Sequence, residues 1–188
     1  MGFHTFDVDR ADRLEETSRY RFLSREELLT KLAIDDQELV IDLGSGTGFY
    51  SDDVAPYVQT LLALDLQQPM HDYYQSKGVP ETVELLTGEI QCLPVSTNSV
   101  DAAYSTMTYH EFASESAIGE LNRILKPEGR LVLIDWASDG EGASGPPVEE
   151  RFSAKEAVEA VQNGGFSIET LDVRKETFLL VCSVSPTS

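Results

Sequence analysis

Glycines at alternate positions, Gly44, Gly46 and Gly48, directly after the run Leu39-Val40-Ile41-Asp42-Leu43, constrain this chain more than any other feature. A short apolar run closed by turn residues reads as a strand buried on both faces of a parallel sheet. Three side chains removed from the turn let the backbone approach a ligand closely and adopt φ > 0. Strand, glycine turn and helix in succession place a nucleoside-like ligand beyond the carboxyl end of the first strand of an open α/β sheet. The dinucleotide pattern G-x-G-x-x-G places its third glycine where Phe49 stands here, which argues against a pyrophosphate on this loop.

A second strand, Leu61 to Leu66, ends on another acid. Asp65 follows Asp42 by 23 residues, close to the offset at which a carboxylate accepts from two ribose hydroxyls in βαβ nucleotide sites. Farther along, Gly88-Glu89-Ile90-Gln91-Cys92-Leu93-Pro94-Val95 follows a third strand, Thr82 to Leu86. Ser99 to Ser105 forms a fourth, and Glu120 to Ile134 reads as a helix, a Lys126-Pro127-Glu128-Gly129 turn and a fifth strand.

Taken together, D-x-G-x-G-x-G, the acid at Asp65, the Gly88–Val95 segment and the Leu125–Leu131 turn resemble the class I S-adenosylmethionine (SAM)-dependent methyltransferases, in their small-molecule (type 11) branch. The resemblance covers roughly residues 36–184. It implies an α/β fold with a Rossmann-like seven-stranded sheet, helices on both faces, and one antiparallel strand in a C-terminal hairpin. It implies SAM as cofactor and S-adenosylhomocysteine (SAH) as product, held by Asp42, Gly44, Ser45, Gly46, Gly48, Asp65, Leu66, Glu89, Ile90 and Ser105. Glu89 stands where the family more often has Asp, as acceptor for the adenine amino group, with Ile90 on the ring.

The remaining elements follow from local signals. A helix is expected over about 10–18, capped by Asp9, and a second over about 25–33, where Ser24 and Glu27 form a capping box and Leu28, Leu29, Leu32 and Ala33 an apolar stripe. Phe49 to Tyr57, Pro69 to Gln75 and Ser114 to Leu125 read as crossover helices. Ser138 to Pro147 is a mobile loop by its glycines and prolines. Ala154 to Asn163 is a final helix ending at Gly164-Gly165, followed by strands Phe166 to Arg174 and Glu176 to Ser183. Residues 1–188 are expected to form one methyltransferase domain, a helical cap over 1–35 on a SAM-binding core over 36–184.

A SAM enzyme needs alignment of its reactants and, for a protonated acceptor, a base. His110 and Glu111, after the fourth strand, are the candidates, with a structural role at the helix entry as the alternative for His110. Trp136, Asp135 and Tyr109 are candidate pocket walls at the same end of the sheet. Phe3-His4-Thr5-Phe6 either lines the pocket or staples the terminus. Ser105-Thr106-Met107-Thr108 is unlike the Asn/Asp-Pro-Pro-aromatic run of amino-group methyltransferases, the acids of metal-dependent catechol-type enzymes are lacking, and no metal is expected. The acceptor is therefore read as a small molecule. A SAM-binding protein without transferase activity and a protein or RNA methyltransferase are the alternatives.

With 33 Asp and Glu against 14 Lys and Arg, the formal net charge is −19, dispersed along the chain. Such a surface resembles proteins of salt-loving microorganisms, where high salt screens self-repulsion. It offers no basic stripe for nucleic acid. Cys92 and Cys182 are too few and too distant for a disulfide framework or a zinc pair, and read as buried small hydrophobes. No secretory h-region or membrane-length apolar run is visible, so a cytoplasmic, soluble protein is expected, monomeric or homodimeric.

Overall fold

The structure is a computed structural model that describes residues 6–36 and 38–186. Seven strands form one sheet: β1 (Leu39–Leu43), β2 (Thr60–Asp65), β3 (Val83–Thr87), β4 (Val100–Thr106), β5 (Leu125–Trp136), β6 (Phe166–Val173) and β7 (Thr177–Val184), in the order β3-β2-β1-β4-β5-β7-β6. All pairings are parallel except those of β7 with β5 and β6, as the sequence predicts.

The unbroken apolar runs arise because both faces of the sheet are covered. Successive residues point to opposite sides, so Ile41, Ala103, Leu131 and Leu133 pack on one face. There they meet helices α5 (Glu115–Ile124) and α6 (Ala154–Asn163). Val40, Ala102, Val132 and Ile134 pack on the other face, against α1 (Arg25–Leu32) and α2 (Phe49–Val54). Tyr74 of α3 (Gln68–Lys77) joins this second cluster.

The chain lays down β1, β2 and β3 toward one edge and then returns to place β4 on the other side of β1. That reversal opens a crevice beyond the carboxyl ends of β1 and β4, where open α/β sheets bind ligands. The glycine turn leaves β1 there, and the short helix α4 (Tyr109–Phe112) leaves β4.

Several expectations are corrected. In place of a helix over 10–18, two 3-10 helices occupy Val8–Glu15 and Thr17–Arg21, and Asp7 rather than Asp9 caps the first. Ser24 caps α1, but Glu27 pairs with Arg174, and Ala33 ends the helix exposed, in a left-handed conformation. The Phe49–Tyr57 helix is α2 followed by a 3-10 turn at Ala55–Tyr57. Lys126–Gly129 turns within β5: Val100 pairs with Leu125 and Ala102 with Arg130, so the extra residues form an excursion at Glu128, φ 63°. Gly165, φ 89°, supplies the left-handed residue after α6.

The Ser138–Pro147 loop is pinned rather than free. Arg151 donates to the carbonyls of Pro146 (2.9 Å from Nε) and Ala137 (3.4 Å) and pairs with Glu176. Cys182 is buried, but Cys92 is exposed, because Ile90 and Leu93 take the inward positions of its segment. Among the described residues, no helix is long and apolar enough to cross a membrane.

Candidate functional site

The glycine turn is held from both ends. Gly44 and Ser45 donate backbone N–H bonds to the Leu64 carbonyl at the end of β2, 2.9 and 2.8 Å, and Gly48 donates to Ser45 O. Gly44, Gly46 and Gly48 all have positive φ, at 78°, 55° and 82°. A Cβ on Gly44 would stand 2.4 Å from Thr108 Cγ2, and one on Gly48 2.2 Å from the Tyr74 ring. Glycine is thus required twice at Gly44 and Gly48, by the backbone and by the neighbour, and at Gly46 by the backbone. Gly48→Ala is expected to destabilise the protein by about 1–3 kcal/mol, through strained φ and overpacking. A thermal midpoint equal to wild type would contradict this packing.

Asp65 ends β2 with its carboxylate turned toward the turn. Oδ2 accepts from Gly46 N and Oδ1 from Gln67 N, both at 2.8 Å. Each oxygen keeps a further lone pair for a hydroxyl. Burial raises the Asp65 pKa, opposed by these amide bonds. Asp42, by contrast, lies beneath the turn, 1% exposed, and does not line the cleft. Its Oδ2 accepts from Ser51 Oγ (2.6 Å), which ties β1 to the first turn of α2, while Oδ1 has no hydrogen-bond partner. Burial pushes the Asp42 carboxyl up to about 7.

The cleft around these groups has a volume of about 1250 Å³. That exceeds the ~300–1,000 Å³ of an ordinary ligand pocket and leaves room for two reactants. Of the residues expected to hold the cofactor, Gly44, Ser45, Gly46, Asp65, Leu66, Glu89 and Ile90 line it. Leu66 lies one residue past β2 and is 53% exposed into it, while Ile90 is buried. Ser45 Oγ is buried on this wall without a partner, which suits a ligand's polar group. Gly48 stands behind the turn, against Tyr74. Ser105 is a correction: it is fully buried with its hydroxyl unpartnered, and Thr106, Met107 and Thr108 line the cleft instead.

At the far end, His110 Nδ1 lies 3.0 Å from both carboxylate oxygens of Asp135, the penultimate residue of β5. Asp135 also accepts from the backbone N–H of His110 (2.6 Å) and of Trp136 (2.8 Å) and is fully buried. A carboxylate there holds the proton on Nδ1 and leaves the Nε2 lone pair toward the cleft. Burial lowers the His110 pKa, but the bond to Asp135 and the charges of Asp135, Glu111 and Glu150 outweigh it, and the net shift is upward. Glu111 Oε1 is 4.0 Å from His110 Nε2, and burial pushes the Glu111 carboxyl up to about 7.

Trp136 lines the cleft, whereas Asp135 stands behind His110. Tyr109 is corrected to the core: 1% exposed, it packs its ring on Phe112, Phe152 and Phe178. Phe6 crosses the cleft mouth, its carbonyl accepting from Gln67 Nε2 at 3.0 Å. Phe3, His4 and Thr5 lie outside the described residues.

The N-terminal cap also contributes to the cleft, which the sequence motifs do not indicate. A 3-10 helix repeats every three residues, so side chains at i and i+3 eclipse. Asp7, Arg10, Arg13, Glu16, Arg19 and Phe22 follow that spacing, and all line the cleft. The opposite side is fastened to the core: Tyr73 donates to Asp12 (2.8 Å), and Thr47 and Lys77 donate to Glu15. Period three was the available signal, and an α-helical reading of residues 10–18 hides it.

A family model described as "Methyltransferase domain" matches residues 41–133, from β1 into β5. An uncharacterized methyltransferase of Mycobacterium tuberculosis is 34% identical over 134 residues, 65% of this chain and 54% of that protein. An uncharacterized methyltransferase-like protein of Schizosaccharomyces pombe is 29% identical over 135 residues, 71% of this chain and 52% of that protein. The chain thus spans about half the length of these curated relatives. The crystal structure of a SAM-dependent methyltransferase from Aquifex aeolicus superposes with a TM-score of 0.87 at 27% identity, covering 96% of this chain and all of that one.

Proposed function

We propose that the chain is a class I SAM-dependent methyltransferase and that it transfers the SAM methyl group to a small-molecule acceptor, with His110 as general base. The observation that carries this reading is the His110–Asp135 pair, set at the end of a cleft whose other end is the glycine turn. When bound, SAM supplies an electrophilic methyl group on a sulfonium, whose leaving group is the thioether SAH.

The chain's residues supply the rest. Asp65 receives the ribose hydroxyls, Glu89 the adenine amino group, and the Gly44–Gly48 backbone the amino-acid tail. As the acceptor's heteroatom bonds to the methyl carbon and the carbon–sulfur bond breaks, His110 Nε2 takes the acceptor's proton. Asp135 stabilises the imidazolium so formed without taking the proton itself. Phe6, Phe22 and Trp136 cover the reacting groups and limit water. Incubating the protein with methyl-labelled SAM and fractionated cell extract tests the acceptor class. Label is expected in the small-molecule fraction; label in protein or RNA alone would contradict the proposal.

The dispersed charge of −19 supports a protein that works in the cytoplasm of a salt-loving cell. Raising ionic strength from physiological to 1 M shortens the Debye length from about 8 to about 3 Å and screens this self-repulsion. The melting temperature is therefore expected to rise with KCl over that range. A flat or falling melting temperature would contradict the salt-adapted reading.

A further inference from the structure

The chain has 14 lysines and arginines, all among the described residues, and more than twice as many acids. Ten of the cations form an ion pair with a carboxylate: Arg25, Lys31, Lys77, Arg123, Lys126, Arg130, Arg151, Lys155, Arg174 and Lys175. The four that do not are Arg10, Arg13, Arg19 and Arg21, and every one of them lines the cleft. Residues outside the described set carry no acidic side chain that could pair with them.

This distribution is not a shortage of acids nearby. Asp7 and Glu16 share the face of Arg10 and Arg13, one 3-10 turn away on either side, yet no ion pair forms. Asp12 and Glu15 are turned to Tyr73, Thr47 and Lys77 on the core. In a protein of net charge −19, these four cations share one cleft and form no ion pair with the acids beside them. Guanidinium groups are suited to anions, because their fork of donors matches carboxylate and phosphate oxygens.

One of the four matches the donor. Arg19 stands at the glycine-turn end, its guanidinium 4.9 Å from the ring centroids of Phe49 and of Tyr50, and fits the single carboxylate of the SAM tail. Arg21 is at the opposite end. It donates to Ser144 Oγ (3.1 Å) and lies 4.5 Å over Phe22, whose ring packs edge-on against Trp136 near His110. Arg10, Arg13 and Arg21 therefore remain to be matched, beside the aromatic wall of Phe6, Phe22 and Trp136.

We propose that the methyl acceptor is a small organic anion, an apolar or aromatic body bearing a carboxylate or phosphate, whose charge is received by Arg10, Arg13 and Arg21. The anionic group positions the acceptor; the atom methylated is a separate one, presented to His110. This inference rests on the cleft being a methyl-donor and acceptor site, as proposed above.

The test is calorimetric titration of the SAH-saturated protein with benzoate, phenyl phosphate, benzamide and benzylamine, in the salt at which it is folded. Benzoate or phenyl phosphate is expected to bind about tenfold or more tighter than benzamide and benzylamine. The stronger of the two anions identifies carboxylate or phosphate as the recognised group. In a triple variant, Arg10→Gln, Arg13→Gln and Arg21→Gln, that preference is expected to vanish while SAH binding persists, which also reports that the variant is folded. Binding of benzamide or benzylamine as tight as the anions, no binding of either anion, or an unchanged preference in the triple variant would each overturn the proposal. Failure of SAH to bind the wild type would instead refute the donor site itself.

Discussion

Replacing His110 by alanine is expected to lower the methyl-transfer rate by about 10²–10⁴-fold, the usual contribution of a positioned general base, while leaving SAM affinity within about twofold. The reason lies in separation of tasks in the proposed site: His110 is paired with Asp135 at one end of the cleft, and the turn and Asp65, proposed to hold the donor, stand at the other. Asp135→Asn is expected to lower the rate in the same direction, because an amide cannot hold the Nδ1 proton as a carboxylate does. The pH profile supplies the sign. Asp135 stabilises the protonated ring, so the net pKa of His110 lies above the ordinary ~6.5. A base must be unprotonated to act, so the rate rises with pH through that elevated value. In Asp135→Asn the charge is gone, and the midpoint moves to lower pH. Full activity in His110→Ala would return His110 to the structural role that its place at the start of α4 also allows.

Asp65→Ala is expected to weaken SAM binding by at least about 100-fold. The carboxylate has two duties, and one substitution removes both. It accepts from Gly46 and Gln67, which fixes the middle of the glycine turn relative to β2. In the proposed site its remaining lone pairs receive the ribose hydroxyls. Hydrogen bonds to a charged group contribute about 1.5–3 kcal/mol each, and each 1.4 kcal/mol is a factor of ten in affinity. Losing two therefore accounts for the expected change without any loss of the sheet, which circular dichroism would show intact. Asp65→Asn keeps an acceptor oxygen and is expected to fall between wild type and alanine. Equal affinity in all three would show that the ribose is held elsewhere.

The glycine-turn end of the cleft was legible in the sequence because it is local and geometric. Alternate glycines force positive φ, and the register of β2 on β1 brings Leu64 beside Leu43, so an acid at Asp65 reaches the turn. Burial of the sheet on both faces followed from the unbroken apolar runs, whereas the seven-stranded architecture followed from the family resemblance. The acceptor half was less legible. Residues at strand ends lose their alternation, so Ser105 and Tyr109 were assigned to the cleft but belong to the interior. Asp42 carries the family's motif, yet its side chain supports α2 from below. Arg10 and Arg13 belong to a spacing of three that drifts around an α-helix over several turns but stacks on one face where residues 8–15 wind as 3-10, and Arg21 lies outside that spacing.

The glycine turn and Asp65 are proposed to form the SAM site. Calorimetry of the wild-type protein with SAH and with NAD, at low and high salt, tests it directly. One SAH is expected to bind per chain, with no heat from NAD, since the turn lacks the dinucleotide spacing. Binding of NAD in the absence of any binding of SAH would contradict it.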